Sequence, residues 1–202
     1  MPQKGFEYFL ENNPLRSIVR EHVEVKPLRA ATDIGHIGHA LQIACGDGTS
    51  SQMILKYFNP ARLSGVDKEA PLIAAANQRH ASGTVDFSAQ NVRSMSFEDG
   101  TFDAAFNLGD LHNYVDWHKG VTELRRVLKP GGLLIMEDLS LETFSNAIGK
   151  VFRRLTEHPY DCMLTIEAFR DFVFRSGFEI LYLQEKNPLG LLRYFVMVAR
   201  KV

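Results

Sequence analysis

From residue 40 onward, short apolar runs alternate with amphipathic segments, and this alternation restricts the possible folds more than any other feature of the 202-residue chain. Five runs have the length and residue types of buried strands, at 40–45, 62–67, 84–89, 102–108 and 133–139. Residues 70–80 and 117–128, which lie between such runs, have helical spacing. This order predicts an α/β fold with a parallel sheet covered on both faces. A binding crevice is expected at the carboxyl ends of its strands.

The two ends of the chain depart from this alternation. Two predicted strands, 178–184 and 192–200, are joined through Asn-Pro-Leu-Gly at 187–190, a connection so short that it predicts an antiparallel hairpin. Near the other end, Leu15, Ile18, Val19 and Val23 have the spacing of a short amphipathic helix. The sequence therefore predicts one domain over 1–202, made of a helical N-terminal lid (1–39), a core (40–139), a helical cover (140–176) and a C-terminal hairpin (177–202).

The charge balance and the distribution of apolar residues argue against several classes of partner. With 23 basic and 24 acidic residues, the chain has a formal net charge of −1, so neither a nucleic acid nor a membrane is expected as a partner. No stretch approaches the roughly 20 apolar residues that a membrane span requires. The first thirty residues contain acids and prolines where a secretion signal needs an apolar core. We therefore expect a cytoplasmic protein.

The spacing of cysteine, histidine and acidic residues does not predict a metal site. Cys45 and Cys162 are far apart and match no metal-binding or redox motif. Asp33, His36 and His39 have a spacing that fits a metal ion, but the glycines between them favour a mobile loop over a rigid site.

A glycine-containing turn follows the first predicted strand, where the chain reads Ala-Cys-Gly-Asp-Gly at 44–48, and Asp67 ends the second strand. Small residues in such a turn let the backbone approach a ligand, and an acid at this spacing can accept hydrogen bonds from both ribose hydroxyls. A dinucleotide fingerprint would need a third glycine three residues after Gly48, where this chain has Ser51. The pattern favours a nucleoside ligand without a pyrophosphate. The alternative is that Asp67 only caps a helix.

Three segments of the predicted core have the form of known motifs. Residues 41–48 (LQIACGDG) are similar to a glycine-rich first motif, and Gly65, Val66 and Asp67 to the acidic end of a second strand. The third segment begins FEDGTFD at 97–103, includes Leu111 and His112, and ends ELRRVLKPGG at 123–132. Through these segments the chain resembles the class I S-adenosylmethionine-dependent methyltransferases, in particular the small-molecule enzymes with a methyltransferase type 11 domain.

The resemblance implies a Rossmann-like, doubly wound α/β fold with a seven-stranded, mostly parallel sheet in the order 3-2-1-4-5-7-6 and an antiparallel C-terminal hairpin. It implies S-adenosyl-L-methionine as the cofactor and a small molecule as the methyl acceptor. Two positions depart from the family pattern, since Gln42 replaces the usual acid and Ala44 the usual first glycine. By resemblance, the cofactor-binding residues are Gln42, Ala44, Cys45, Gly46, Gly48, Asp67, Lys68, Asn91, Val92 and Asn107.

The segment after the fourth predicted strand is where the resemblance places the transferred methyl group. His112 lies there, and a histidine can take a proton from a hydroxyl or an amine near neutral pH. Asp110 is a second catalytic candidate, and a purely structural histidine is the alternative. Substrate contacts are expected from Tyr8, His112, Tyr114 and Tyr160, with aromatic residues of 6–10 and 144–160 covering an apolar pocket. The alternative is that these aromatic residues only pack outer helices onto the sheet.

Two other functions fit parts of the sequence. The departures at Gln42 and Ala44 motivate a binding protein that keeps the cofactor pocket without transferring a methyl group. An RNA or protein methyltransferase is the second alternative. Against it stand the near-neutral charge and the sequence Asn-Leu-Gly-Asp at 107–110, where Asn-Pro-Pro-Tyr would be expected. The sequence predicts neither the acceptor nor the oligomeric state.

Overall fold

The computed structural model describes residues 25–31, 34–80, 83–145, 147–155, 160, 163–187 and 193–202. The strands are β1 (His39–Ile43), β2 (Arg62–Asp67), β3 (Val85–Ala89), β4 (Phe102–Leu108), β5 (Leu128–Leu139), β6 (Phe178–Lys186) and β7 (Tyr194–Lys201). They form one seven-stranded sheet in the order β3-β2-β1-β4-β5-β7-β6, which confirms the predicted topology.

Helices connect most of the strands. They are α1 (Lys26–Ala31), α2 (Ser51–Phe58), α3 (Ala70–Arg79), α4 (Trp117–Val127), α5 (Ala147–Leu155) and α6 (Ile166–Arg175), with short 3-10 helices at Leu111–Asn113 and Leu141–Ser145. Local sequence explains two of the starts. Pro71 lies in the first turn of α3, where a missing backbone donor costs nothing. Before α6, the Thr165 side chain accepts a hydrogen bond of 3.2 Å from the Ala168 N–H and caps the helix.

The parallel pairing of β1 to β5 brings five carboxyl ends to one edge of the sheet. β1 is parallel to β2 and β4, with Ile43 opposite Val66 on one side and Asn107 on the other. β5 is parallel to β4, and Leu108 lies opposite Glu137. β7 is antiparallel to both β5 and β6, which confirms the hairpin, although its turn at 188–192 lies outside the described residues.

Apolar residues fill both faces of the sheet, as a sheet with helices on both sides requires. One core joins α4 and α6 to the sheet through Leu41, Phe102, Trp117, Phe169 and Phe195. The other joins α1, α2 and α3 through Leu28, Phe58, Ile73, Phe106 and Val198. None of the described helices is long and apolar enough to cross a membrane.

The start of β5 differs from the sequence prediction, and the predicted lid at 1–39 lies partly outside the described residues. β5 begins at Leu128, five residues before the predicted start, because Leu128 pairs with Phe102 while Leu133 pairs with Ala104, so residues 129–132 bulge out of the strand. Of the predicted lid at 1–39, the part that the structure describes packs α1 onto the sheet through Leu28. Residues 1–24 lie outside the described part, so the lid remains a prediction.

Candidate functional site

The turn after β1 has a backbone that only small residues fit well. Gly46 and Gly48 have positive φ angles of 55° and 80°, and Ala44, a non-glycine residue, has a φ of 47°. A Cβ atom on Gly48 would lie 2.9 Å from Cδ2 of His80, whose Nε2 lies 2.8 Å from the Gly48 carbonyl oxygen. A Cβ atom on Gly46 would meet no atom within 4 Å. The turn therefore packs against His80 at Gly48. It is open at Gly46, where a ligand can approach the backbone.

Asp67 at the end of β2 is bonded to this turn. Its Oδ2 accepts a hydrogen bond of 3.0 Å from the Gly46 N–H, and its Oδ1 accepts one of 2.9 Å from the Glu69 N–H at the start of α3. Because each carboxylate oxygen has two lone pairs, both can accept a further hydrogen bond. The sequence left two roles open for Asp67, ribose binding and helix capping. Its position fits both, since it bonds near the start of a helix and also lies beside the glycine turn.

Gln42 on β1 is buried and engaged at both ends of its amide. Its Nε2 donates to Oγ of Ser50 over 2.7 Å, and its Oε1 accepts from Oγ of Ser51 over 2.6 Å. The glutamine thus donates to one serine and accepts from the other, which engages both ends of its amide within the protein. The predicted contact between Gln42 and the cofactor stays a prediction, and the geometry gives Gln42 a role in joining β1 to α2.

The other predicted cofactor residues lie along the same edge of the sheet. Cys45 is buried, and its burial raises the pKa of the thiol to about 12, so it is an unreactive part of the turn. Lys68 is exposed and Val92 is buried in the core. Oδ1 of Asn91 accepts from the Arg93 N–H over 3.0 Å. The Gln90 N–H donates to the Asp67 carbonyl oxygen over 2.9 Å, which holds the segment after β3 next to β2.

A buried histidine–carboxylate pair lies at the ends of β4 and β5. Asp138 is fully buried and accepts three hydrogen bonds: 2.8 Å from Nδ2 of Asn107, 2.9 Å from the Leu139 N–H and 2.6 Å from Nδ1 of His112. Since a carboxylate accepts, Nδ1 of His112 carries the hydrogen, and in the neutral ring the lone pair lies on Nε2. Asn107 therefore positions Asp138, and Asp138 sets the tautomer of His112.

The charges around His112 outweigh its burial. Burial alone lowers the pKa of a histidine, but the carboxylates of Asp138, Asp110 and Glu137 favour the protonated ring and bring the pKa of His112 above its usual value. Glu137 is 2% exposed and precedes Asp138 on β5. The hydrogen bond to Asp138 also fixes the position of the ring.

Asp110 lies two residues before His112, among the described residues of this edge. Its Oδ2 atom is buried and has no hydrogen-bond partner there, although the residue as a whole is partly exposed. Burial raises the pKa of Asp110 to about 6, with the charge of His112 opposing the rise and those of Asp138 and Asp67 adding to it. Burial and the charge of Asp110 also raise the pKa of Tyr114, which places that hydroxyl near the same carboxylate.

The predicted substrate cover is described in part. Tyr160 is buried and its ring packs 4.7 Å from the ring of Phe144, with the guanidinium of Arg153 5.3 Å from the Tyr160 centroid. Oγ1 of Thr143 donates to the Arg193 carbonyl oxygen over 2.6 Å and fixes the start of the cover beside β7. Tyr8 lies outside the described residues, so its substrate contact stays a prediction. Within the described ranges, no three His, Cys, Asp or Glu side chains cluster closely enough for a metal ion.

Sequence reasoning did not identify Asp138, although it singled out His112, Asp110 and Asn107. The signal was present in the sequence, because Glu137 and Asp138 are two acids inside an otherwise apolar strand. Charged residues that end a buried strand cost free energy unless they are paired, so they indicate a partner on a neighbouring element. The partner itself, His112, is 26 residues away in the chain.

Comparison with known proteins matches the same core. Residues 40–132 match the family model of a methyltransferase domain. The phthiotriol/phenolphthiotriol dimycocerosates methyltransferase 1 of Mycobacterium ulcerans is 30% identical over 59% of this chain and 44% of its own length. The fatty-acid O-methyltransferase of Mycolicibacterium smegmatis is 31% identical over 48% of this chain and 36% of its own length. The chain thus spans less than half the length of these curated relatives.

A solved structure extends the likeness over most of the fold. The crystal structure of an S-adenosylmethionine-dependent methyltransferase from Mesorhizobium loti superimposes with a TM-score of 0.72, at 18% identity, covering 87% of this chain and 96% of that one. At 18% identity this likeness supports the fold alone. The sequence matches support the resemblance of the motifs. In its motifs the chain is similar to methyltransferases over residues 40–132, and in its fold it is similar to a solved S-adenosylmethionine-dependent methyltransferase.

Proposed function

We propose that this chain transfers the methyl group of S-adenosylmethionine to a hydroxyl oxygen of a small, lipid-type molecule. The observation that carries the proposal is the placement of two structures at one edge of the sheet. The glycine turn follows β1 and is bonded to Asp67, the last residue of β2. The His112–Asp138 pair lies at the ends of β4 and β5. The named relatives support a lipid-type acceptor, since one is a fatty-acid O-methyltransferase and another a phthiotriol/phenolphthiotriol dimycocerosates methyltransferase.

The residues of the β1 turn fit a nucleoside with an amino-acid side chain. The open approach to Gly46 admits a ligand against the backbone, and Asp67 can accept ribose hydroxyls with its remaining lone pairs. Lys68, Asn91 and Val92 remain candidates for contacts with the adenine, and Ala44, Cys45 and Gly48 for the shape of the turn. When bound, the cofactor supplies a methyl group activated by its positively charged sulfur.

His112 is proposed as the general base. In its neutral form it holds a hydrogen on Nδ1 for Asp138 and a lone pair on Nε2, so it can take a proton from an acceptor hydroxyl as the methyl group is transferred. An acceptor that is already ionised would need no base. The buried pair therefore favours a hydroxyl group, and Tyr114 and Tyr160 are proposed to contact the acceptor.

The other functions fit the site less well. A binding protein that transfers nothing has no use for a buried histidine whose tautomer is set by a carboxylate. The near-neutral charge supports a small molecule over a nucleic acid as the partner. The predictions of a cytoplasmic location and of a single domain over 1–202 are retained.

Calorimetry with S-adenosylmethionine, S-adenosylhomocysteine and NAD tests the cofactor. We expect the first two to bind and NAD not to bind. Asp67→Ala should weaken S-adenosylmethionine binding by about 2 kcal/mol, because ribose hydroxyls lose a charged acceptor. Asp171→Ala, which removes an exposed carboxylate on α6, is the matched control and should bind as the wild type does. Tight binding of NAD in place of S-adenosylmethionine would end the methyltransferase proposal.

A methyl-transfer assay tests the acceptor. Radiolabelled S-adenosylmethionine is supplied with a long-chain fatty alcohol, the corresponding fatty acid, or transfer RNA, and the labelled product is separated by extraction. We expect label in the alcohol fraction. Label in the fatty acid alone would remove the need for a base at His112, and label in RNA would favour the nucleic-acid alternative.

A further inference from the structure

A buried carboxylate oxygen without a donor is an unusual feature. In folded proteins roughly nine of ten buried polar groups have a hydrogen-bond partner, because an unpaired one loses its bonds to water and gains nothing in return. Oδ2 of Asp110 is such an atom. Its sister oxygen, Oδ1, accepts a long hydrogen bond of 3.4 Å from Nδ2 of Asn113. The carboxylate is therefore short of donors where charge is least well solvated.

Among the described residues, the neighbouring side chains satisfy the Asp110 carboxylate only in part, and Oδ2 is left without a partner. The Nδ1 hydrogen of His112 is committed to Asp138 over 2.6 Å. A hydrogen bond from the Tyr114 hydroxyl to the Asp110 carboxylate lowers the pKa of Asp110, yet burial and nearby negative charge still dominate and raise it. Asp67 and Asp138 add two more acids to the surroundings of Asp110. A bound cation that carries hydrogen-bond donors would complete this region.

Asp110 lies in the segment that follows β4, the strand that pairs with β1. Ile43 and Asn107 are paired at the ends of β1 and β4, so the segment that follows Asn107 runs beside the segment that follows Ile43. Gly109, with a φ of 80°, donates its N–H to the Glu137 carbonyl oxygen over 2.8 Å and fixes the start of that segment. On the β1 side, the Gln42 amide is uncharged and engaged by two serines. Gln42 therefore offers no negative charge to an amino-acid moiety, whereas Asp110 on the β4 side carries a carboxylate.

We propose that Oδ2 of Asp110 accepts a hydrogen bond from the α-ammonium group of S-adenosylmethionine, an inference that rests on the proposed function. An ammonium group carries three N–H donors and a positive charge, so it supplies both things that the buried oxygen lacks. The sulfonium of the same cofactor is also positive but has no N–H, and cannot complete the hydrogen bonds of a carboxylate. Asp110 is thereby a cofactor-binding residue, and the role of base falls to His112 alone.

The test compares three ligands on two variants by calorimetry. S-adenosylmethionine has the ammonium and the sulfonium, S-adenosylhomocysteine has the ammonium alone, and 5′-methylthioadenosine has neither. Asp110→Asn should weaken the first two by a similar factor, about 10- to 100-fold, and leave 5′-methylthioadenosine within about twofold of the wild type. Asp171→Asn on α6 is the control and should leave all three unchanged.

Folding of the variant is controlled without ligand. Because Oδ2 has no donor to lose, D110N should unfold at a temperature no lower than that of the wild type. Asp110→Ser is the second variant and should show the same ligand pattern if D110N is poorly folded. The proposal is overturned if S-adenosylhomocysteine binding is unchanged, if all three ligands weaken equally, or if only S-adenosylmethionine weakens. If the wild type binds none of the three, the proposed function fails as well, whereas an unchanged D110N with a wild type that binds leaves that function standing.

Discussion

The turn after β1 and the segment after β4 are neighbours at one edge of the sheet, but their side chains act in different ways. In the turn, Asp67 accepts from the Gly46 backbone and His80 bonds to the Gly48 carbonyl, so side chains hold the backbone in shape. After β4, Asp138 and His112 bond to each other, and Oδ2 of Asp110 has no donor in the part of the chain that the structure describes. In the turn, the backbone conformation is what can accommodate a ligand. After β4, the ionisable side chains are what can act on one. Changes in the turn should therefore alter stability and affinity, and changes after β4 should alter turnover and its pH dependence.

The largest effect is expected at His112. His112→Asn keeps a side-chain donor for Asp138 but removes the base, so turnover should fall by about 10³-fold while S-adenosylhomocysteine still binds. Turnover is measured with saturating cofactor, and binding by calorimetry. His118→Asn, at an exposed histidine of α4, is the control and should keep the wild-type rate. Full activity of H112N would show that His112 has no part in proton transfer.

Asp138→Asn should have the next largest effect and a distinct signature. Burial lowers the pKa of His112, but Asp138 is the main charge that raises it above the usual value of about 6.5. The base works when deprotonated, so the wild-type rate should rise as pH increases through this raised pKa. Removing the charge of Asp138 should move the rise to lower pH and reduce the plateau by about 10²-fold. A lower plateau with an unmoved pH profile would mean that Asp138 is merely structural.

Gly48→Ala tests the backbone conformation of the turn after β1. The new Cβ would need a φ of 80° and would lie 2.9 Å from His80, so the free energy of unfolding should fall by about 2 kcal/mol. Urea unfolding measures the change, and the pH profile of turnover should keep its position. The control is Gly35→Ala, where no atom lies within 4 Å of the new Cβ. Equal stability of the two variants would contradict the account of the turn.

Ala44→Gly should have the smallest effect. Relief of the left-handed backbone at Ala44, whose φ is 47°, is worth about 1 kcal/mol, and the greater entropy of glycine in the unfolded chain cancels most of it. We expect the free energy of unfolding to stay within about 0.5 kcal/mol of the wild type. Ala44→Val, with a branched side chain at the same φ, should be clearly less stable. If A44V were as stable as the wild type, the turn would be less constrained than its φ angles imply.

Much of the fold and half of the site could be predicted from the sequence because they depend on local patterns. The bounds of β2 and β4 agree with the apolar runs, and the short connection at 187–190 correctly predicted the hairpin. β5 was predicted to start late because the bulge at 129–132 looks like a turn that ends a helix, and only pairing with β4 makes Leu128 part of the strand.

The site divides in the same way. Residue types and spacing pointed to Gly46, Gly48 and Asp67, since a tight turn and an acid after a strand are requirements of the local chain. The tertiary structure decided which side chains meet: Gln42 with two serines, and His112 with Asp138, 26 residues apart in the chain. It also left a buried oxygen of Asp110 without a donor among the described residues. A hydrogen bond between distant residues depends on strand order and register, and burial depends on everything that packs around an atom, so neither can be predicted from a local pattern.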